Sequence, residues 1–135
     1  MEIIMHYELY LPFPQTVNNY YQKSKSGGRF ISHKGRKFRD MTSEAIVEQL
    51  PDVHISDKVL VEIVLFPPDN RMRDIDNYNK CLLDAITHAQ LWEDDSLIDQ
   101  LFNYRGECRP RNGSCYVRIT EAGPVVRDVG MLPIS

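Results

Sequence analysis

Four segments of the chain have the apolar alternation or the short apolar runs of β-strands: residues 5–11, 59–65, 97–105 and 115–120. The first ends where Pro12 begins a loop. Residues 59–65 carry apolar side chains on both faces, which is typical of a strand in the centre of a sheet. The last two are predicted to form a hairpin, because the connection between them contains Asn112-Gly113, a strong turn signal.

Two segments have apolar residues at helical spacing. The stripe of the first consists of Phe38, Met41, Ala45, Ile46 and Gln49, and it ends before Pro51. The second helix, residues 77–89, is predicted to bury one face made of Cys81, Leu82, Ala85, Ile86 and Ala89. Asp74 or Asp76 is predicted to cap its N-terminus.

The element order is therefore β-α-β-α-β-β, which predicts a single α/β (α+β) domain with a small mixed sheet covered by two helices. At 135 residues the chain is large enough for one core but not for two. We assign residues 1–122 to this domain and residues 123–135 to a C-terminal tail. The stretch between the first strand and the first helix is interpreted as a Gly/Ser-rich loop.

Composition narrows the class of protein. With 42% hydrophobic and 26% charged residues, the chain has an ordinary globular composition. No apolar run approaches the roughly 20 residues that span a bilayer, and we expect no signal peptide. Three cysteines favour a reducing cytoplasm over a disulfide framework. Cys108 and Cys115 fit no common zinc spacing, and Cys81 is predicted to lie in the core.

Basic residues are concentrated in one part of the chain. Residues 12–39 hold seven of the sixteen basic residues and none of the nineteen acidic ones, although the net charge is −3. The seven are Lys23, Lys25, Arg29, Lys34, Arg36, Lys37 and Arg39. Amide and aromatic side chains lie among them, which suits phosphate contact and base stacking. The segment is either a surface for a polyanion or an ordinary solvated loop.

Acidic residues surround the start of the second predicted helix. Asp74 and Asp76 are two positions apart, so in an extended segment their carboxylates point the same way and can reach one cation. Lys80 follows one helical turn later, where it could offset charge on a phosphate. A second acidic group, residues 93–95, can join them only if the next strand pairs near residues 59–65. Magnesium prefers such oxygen ligands, so the cluster predicts metal-dependent phosphate chemistry.

Other interpretations of these acids stay open on the pattern alone. They could cap the helix and otherwise lie in solvent, with Lys80 in a surface ion pair worth ~0.2–0.5 kcal/mol. A phosphatase-type aspartyl nucleophile fits less well, because it is typically followed by a threonine, whereas these acids lead into Asn77 and a helix. Sugar-nucleotide transferases also use paired acids, but on much longer chains.

Two regions of the sequence resemble RusA-type Holliday-junction resolvases. One is the run RDIDN of residues 73–77, followed by Lys80, Asp84-Ala85 and Asp94-Asp95. The other is the run LPFP of residues 11–14 with Asn18, Asn19, Tyr20 and Tyr21, followed by Ser32, Gly35, Arg36 and Arg39. The resemblance extends over residues 7–120. Gln15-Thr16 departs from the family pattern, where Pro-Ser is expected, and residues 123–135 have no recognised counterpart.

The resemblance implies a small α/β dimer with the element order given above. Carried over to this chain, the essential metal-binding carboxylates are Asp74, Asp76 and Asp95, and the essential lysine is Lys80. Asp94 is the less suitable neighbour, since consecutive residues of an extended segment point to opposite sides. The tail is then expected either to be disordered or to extend the dimer interface.

The predicted function is that of a magnesium-dependent, structure-selective endodeoxyribonuclease. It would resolve four-way DNA junctions by paired symmetric nicks in recombination and repair, leaving 5′-phosphate and 3′-hydroxyl ends. Mg²⁺ is the expected cofactor, with Mn²⁺ as a substitute and no small-molecule cofactor. The predicted DNA-binding residues are Lys23, Lys25, Arg29, Lys34, Arg36, Lys37 and Arg73.

We expect four-way branched DNA and a second copy of the chain as partners, and no membrane. The expected location is the cytoplasm of a bacterium, or of the bacterial host of a phage. The alternatives are a non-catalytic DNA-binding module and a nuclease with a broader range of branched substrates.

Overall fold

A four-stranded sheet, a small hairpin and three helices make up the described part of the chain. The structure is a computed structural model that describes residues 5–121, so the predicted tail lies outside it. The elements are β1 (His6–Leu11), α1 (Val17–Tyr20), β2 (Tyr21–Lys23), β3 (Arg29–Ile31), α2 (His33–Gln49), β4 (Val59–Phe66), α3 (Asn79–His88), β5 (Ile98–Arg105) and β6 (Ser114–Glu121). Two 3-10 turns, Ile75–Tyr78 and Asp95–Leu97, directly precede α3 and β5.

The sheet has the strand order β1-β6-β4-β5. β6 runs antiparallel to β1 and to β4, whereas β4 and β5 are parallel, so the sheet is mixed as predicted. β4 has a neighbour on each side, which confirms the interior position expected from its apolar pattern. Every second residue of β4 is buried in the core: Val59, Val61, Ile63 and Leu65.

The predicted hairpin of the last two strands is wrong, because β4 lies between β5 and β6. The turn at Asn112-Gly113 does form, with Gly113 at a φ of +66°. However, the connection between β5 and β6 passes over the end of β4. There the Gly106 N–H donates to the Leu65 carbonyl oxygen (2.8 Å), and the Arg109 N–H donates to the Pro67 carbonyl oxygen (2.8 Å). Pairing both edges of β4 inside the sheet outweighs the local turn signal.

Helix α2 packs against α3 and β1 and ends at Gln49, as predicted. It begins at His33, earlier than the apolar stripe indicates, because Ser32 caps it: the Ser32 Oγ accepts a hydrogen bond from the Gly35 N–H (3.0 Å). Its buried residues are Gly35, Phe38, Thr42 and Ile46. Met41, which we placed in the stripe, is 37% exposed, since the buried row follows the i, i+4 spacing from Phe38.

Helix α3 buries the predicted face, with Cys81, Leu82, Ala85 and Ile86 in the core. Its N-terminus differs from the prediction. The chain enters it through a 3-10 turn, and neither Asp74 before the turn nor Tyr78 before α3 makes a side-chain capping hydrogen bond. No helix of the described residues is long and apolar enough to cross a membrane.

The segment interpreted as a loop folds into α1 and the β2–β3 hairpin. The Thr16 Oγ1 caps α1 by accepting a hydrogen bond from the Asn19 N–H (3.3 Å). In the hairpin, Lys23 pairs with Arg29, whose guanidinium lies 4.3 Å from the centre of the Tyr21 ring. The sequence missed these elements because a single helical turn and three-residue strands are too short to show a period.

The three cysteines are thiols without disulfides. Cys81 is fully buried, which confirms its predicted place in the core, and Cys115 is also buried. Burial raises the pKa of each of these two thiols to about 12, so both stay protonated and unreactive at neutral pH.

Gly113→Ala is expected to destabilise the fold more than Gly27→Ala. Both glycines have a positive φ, +66° and +93°, so each substitution carries a backbone cost of about 1–2 kcal/mol. Only at Gly113 would the new Cβ lie 2.7 Å from the Phe66 carbonyl oxygen, whereas nothing lies within 4 Å at Gly27. Crowding should add about 1–3 kcal/mol, which urea unfolding measures. Equal losses would contradict a tight crossing over β4.

Candidate active site

Asp74 and Asp76 lie in the segment that leads from β4 into α3. Asp74 is in extended backbone just before the 3-10 turn, and Asp76 is inside the turn. Both side chains are exposed, and neither carboxylate has a hydrogen-bond or ion-pair partner within residues 5–121. Lys80 is also exposed and stands in the first turn of α3, four residues after Asp76. The two carboxylates and the ammonium are therefore available to an external ligand.

The loop before Asp74 is braced by Asp69. Its carboxylate accepts hydrogen bonds from Arg73 Nη1 (2.8 Å) and Arg71 Nε (3.2 Å). These bonds, that from Arg73 first, hold the pKa of the Asp69 carboxyl far below its usual range. The Arg73 guanidinium also lies 5.8 Å from the centre of the Phe13 ring, and its side chain is only 13% exposed. Arg73, a predicted DNA-binding residue, thus mainly stabilises the loop through its contacts with Asp69 and Phe13.

Asp95 lies in the 3-10 turn that follows α3 and is exposed. Its neighbour Asp94 is engaged locally, because Ser96 Oγ donates a hydrogen bond to Asp94 Oδ2 (2.6 Å). That bond is the largest cause of the lowered pKa of Asp94. Of the two neighbours, Asp94 is therefore the one whose carboxylate is hydrogen-bonded within its own turn.

The two acidic groups come at opposite ends of α3. Asp74 and Asp76 precede the helix, and Asp95 follows it. The helix has 10 residues, which correspond to a length of ~15 Å at about 1.5 Å per residue. Within residues 5–121, no group of three or more His, Cys, Asp or Glu side chains is close enough to hold a metal ion.

The same separation follows from the pairing of β5. The predicted return of the chain to residues 59–65 occurs, but the two strands are parallel. Ile98, just after Asp95, therefore lies beside Val59 at the beginning of β4. The end of β5 lies near Asp74 instead, because Arg105 Nη2 donates a hydrogen bond to the carbonyl oxygen of the preceding residue, Arg73 (2.7 Å). One chain does not bring Asp95 to Asp74 and Asp76.

The remaining predicted DNA-binding residues are all exposed, and they form two groups. The hairpin carries Lys23, Lys25 and Arg29, and the first turns of α2 carry Lys34, Arg36 and Lys37. The two groups are adjacent along the chain, because the hairpin ends just before α2 begins, and together we call them the basic surface. Arg39, the last basic residue of the segment, points elsewhere and forms an ion pair with Asp84.

A groove connects this basic surface with the loop that carries Asp74. It consists of two open cavities of about 680 and 480 Å³, which share Phe13, Gln15 and Asn112 as lining residues. Lys34 and Lys37 line the first cavity, and Arg71 and Arg73 line the second. No acidic residue lines either cavity in the described part of the chain. We call this feature the basic groove.

Sequence reasoning missed several residues that shape the site: Asp69, Arg71, Phe13 and Arg105. The i, i+4 spacing of Asp69 and Arg73, with opposite charges, was a visible signal for the brace. Arg105 gave no signal, because its bond to the loop depends on the parallel pairing of β4 and β5.

Comparison with known proteins identifies the family. A model of the family described as Endodeoxyribonuclease RusA matches residues 8–120. The crossover junction endodeoxyribonuclease rusA of Enterobacteria phage HK97 is 33% identical over 115 residues, which cover 85% of this chain and 94% of that protein. The proteins of the same name from Escherichia coli strain K12 and Shigella sonnei strain Ss046 are each 34% identical over 119 residues, with 87% and 96% covered. The chain therefore belongs to the RusA family of endodeoxyribonucleases, as the resemblance of its sequence motifs predicted.

Proposed function

We propose that this chain is a magnesium-dependent endodeoxyribonuclease that resolves four-way DNA junctions by paired symmetric nicks in recombination and repair. Relatives that are named crossover junction endodeoxyribonucleases support the substrate class. The observation that carries the proposal is the pair of exposed carboxylates of Asp74 and Asp76, which have no partner within residues 5–121, with Lys80 one helical turn away. The proposed place of action is the bacterial cytoplasm.

Asp74 and Asp76 are the residues that would hold Mg²⁺, with Mn²⁺ as a substitute, and Asp95 would complete the set. Exposed carboxylate oxygens match the ligand chemistry of magnesium. The bound ion would supply a water of lowered pKa and polarise the scissile phosphate. Lys80 would offset the negative charge that builds up on the phosphate oxygens during in-line attack. The Asp69 brace would keep the loop from moving as charge accumulates.

The position of Asp95 supports a homodimer with shared sites. β5 is an edge strand of the sheet, so its outer backbone groups can pair with β5 of a second copy. Antiparallel pairing across a two-fold axis would set the beginning of one β5 against the end of the other. Asp95 of one subunit would then approach the partner's Asp74.

The side chains of β5 support the same interface. Leu101, Phe102 and Tyr104 are 38%, 42% and 47% exposed, which is a high apolar exposure for one edge strand. Pairing of two β5 strands would cover these side chains. A two-fold dimer with two equivalent sites also suits a four-way junction, which has two-fold symmetry and needs a nick in each of two opposed strands.

The basic surface and the basic groove supply a route for DNA. Lysines and arginines without acidic neighbours neutralise phosphates and release counterions, so affinity should fall steeply with salt. The groove leads from α2 to the loop before Asp74, where the scissile phosphate would lie.

The main alternative is a non-catalytic DNA-binding module whose acids only cap a helix. The absence of a capping hydrogen bond from the side chain of Asp74 weighs against it. A nuclease with a broader range of branched substrates differs only in selectivity. Competition among flap, single-stranded and four-way substrates separates it from a junction resolvase.

Asp76→Asn is expected to abolish cleavage of a labelled four-way junction while leaving junction binding intact or tighter. Removing one metal carboxylate costs several kcal/mol of transition-state stabilisation, which corresponds to at least about 100-fold in rate. A denaturing gel after incubation with magnesium measures cleavage, and a mobility shift with calcium measures binding. Asp57→Asn, also an exposed acid, is the control and should cut normally. Normal cleavage by Asp76→Asn would exclude it as a ligand.

A mixture of two inactive variants tests the shared site. Asp76→Asn and Asp95→Asn should each be inactive, but their mixed dimer has one site in which both changes coincide and one that is intact. In an equal mixture about half of the dimers are mixed, and each has one intact site of two. Nicking activity should therefore return to roughly a quarter of the wild-type level after mixing. Adding Tyr104→Asp on β5 to both variants should prevent the recovery, whereas Tyr10→Asp on the opposite edge strand should not. Recovery of no activity would contradict a site built from two subunits.

Replacing Lys34, Arg36 and Lys37 by alanine should weaken junction binding and flatten its dependence on salt. Each lost phosphate contact lowers the slope of log K against log salt by about 0.9. Filter binding at several salt concentrations measures the slope. As a matched pair, Lys37→Ala should lower it, and Lys58→Ala, just before β4 at the end of the sheet away from the groove, should not. An unchanged slope in the triple variant would exclude the first turns of α2 from the DNA footprint.

A further inference from the structure

Asp84 belongs to the sequence motif that resembles the RusA family, yet the proposed chemistry gives it no role. In the structure it accepts a hydrogen bond from Arg39, whose Nη2 lies 2.6 Å from Asp84 Oδ2. The Tyr20 hydroxyl donates to the same carboxylate oxygen. Arg39 Nε in turn donates to the Tyr20 hydroxyl oxygen (2.8 Å). The three side chains form a closed triangle of charge-assisted hydrogen bonds.

This triangle is partly shielded from water. Tyr20 is 0% exposed, and the side chains of Arg39 and Asp84 are 23% and 26% exposed. Burial alone would raise the pKa of Asp84, but the hydrogen bonds from Tyr20 and Arg39 outweigh it, so the net pKa is lowered. Burial raises the pKa of Tyr20, which keeps its hydroxyl a donor. The carboxylate stays charged, and the geometry of all three groups is restricted.

Each corner of the triangle belongs to a different helix. Tyr20 ends α1, Arg39 lies in α2 and Asp84 lies in α3. α1 and α2 are themselves in close contact, because a Cβ at Gly35 would lie 2.7 Å from the Tyr20 carbonyl oxygen. The β2–β3 hairpin connects the two helices along the chain. The part of the chain that carries the basic surface therefore meets α3 at Asp84.

Asp84 and Lys80 share one face of α3. They are four residues apart, so they lie one turn apart on the same side of the helix. The positive charge of Lys80 is one of the causes that lower the pKa of Asp84, which agrees with their proximity. Whatever fixes the side chain of Asp84 also restricts the rotation of the helix that carries Lys80.

We propose that Tyr20, Arg39 and Asp84 are positioning residues that hold Lys80 at a set distance from DNA bound on the basic surface. The inference rests on the proposed function, because it needs Lys80 to act at the scissile phosphate. A displacement of about 1 Å can cost a reaction a factor of about 100, so a helix that carries a reacting group needs such a restraint. The triangle acts through Lys80 and does not touch DNA.

A purely structural role would have a different consequence. Loss of a stabilising contact would slow cleavage by the same factor whether or not Lys80 is present. A positioning role predicts that the effect disappears once the positioned group has been removed.

The test uses Tyr20→Phe, which keeps the buried ring and removes only the hydroxyl. Its matched control is Tyr116→Phe, which removes a tyrosine hydroxyl that donates to the Glu8 carboxylate (2.7 Å) away from the site. Single-turnover cleavage of a four-way junction is measured for both variants in the full chain, alone and combined with Lys80→Ala. Junction binding is measured in calcium, and hydrogen exchange is followed in peptides from α3.

We expect Tyr20→Phe to lower the cleavage rate about 10-fold, to change the junction Kd less than about 2-fold, and to speed exchange in the first turns of α3. Lys80→Ala alone should lower the rate about 100-fold, and Tyr20→Phe should have no further effect in that background. Tyr116→Phe should match the wild type in every measurement. Asp84→Asn, which keeps the shape of the side chain, should reproduce Tyr20→Phe and carries the test if that variant fails to fold.

An unchanged rate, or a loss of the same size with and without Lys80, would overturn the positioning role. Unchanged exchange in α3 would overturn it as well, and that measurement does not depend on any cleavage. Failure of the wild type to cut the junction would instead overturn the proposed function, and with it a role exerted through Lys80.

Discussion

The parallel pairing of β4 with β5 is the constraint on which the rest of the structure depends. Two parallel strands need a connection that returns along the sheet, and α3 supplies it. As a result, the residues before α3 and the residues after it come at opposite ends of the helix. Asp74 and Asp76 lie at one end and Asp95 lies at the other. An antiparallel pair would have needed no such crossover.

This arrangement gives each chain two separate acidic groups, and it leaves β5 at the edge of the sheet with large apolar side chains exposed. An edge strand of this kind is a liability for a monomer, because it invites pairing with another chain. In the proposed dimer the same pairing covers the edge and completes the metal ligands. A site that exists only in the assembled dimer would also prevent an isolated subunit from cutting DNA.

Repulsion within the acidic cluster destabilises the fold little. Asp74 and Asp76 are exposed, so solvent and salt screen their mutual repulsion. Charges that are partly withdrawn from water have partners: Arg73 pairs with Asp69, and Arg39 pairs with Asp84. The first pair braces the loop, and the second ties α3 to α1 and α2. Charge pairing thus supports the site from two sides while the carboxylates themselves stay open to ligands.

The sequence by itself determined the longer elements and the residue types of the candidate site. The interior position of β4, the buried face of α3 and the residue types at 73–80 followed from periodicity and spacing, which are properties of neighbouring residues. Tertiary structure decided which strands pair. The Asn112-Gly113 turn predicted a hairpin, but β4 lies between β5 and β6. Strand pairing depends on the whole sheet and not on one local turn. The contacts of Tyr20, Arg39, Asp84 and Arg105 were decided in the same way, because each joins residues far apart in the chain.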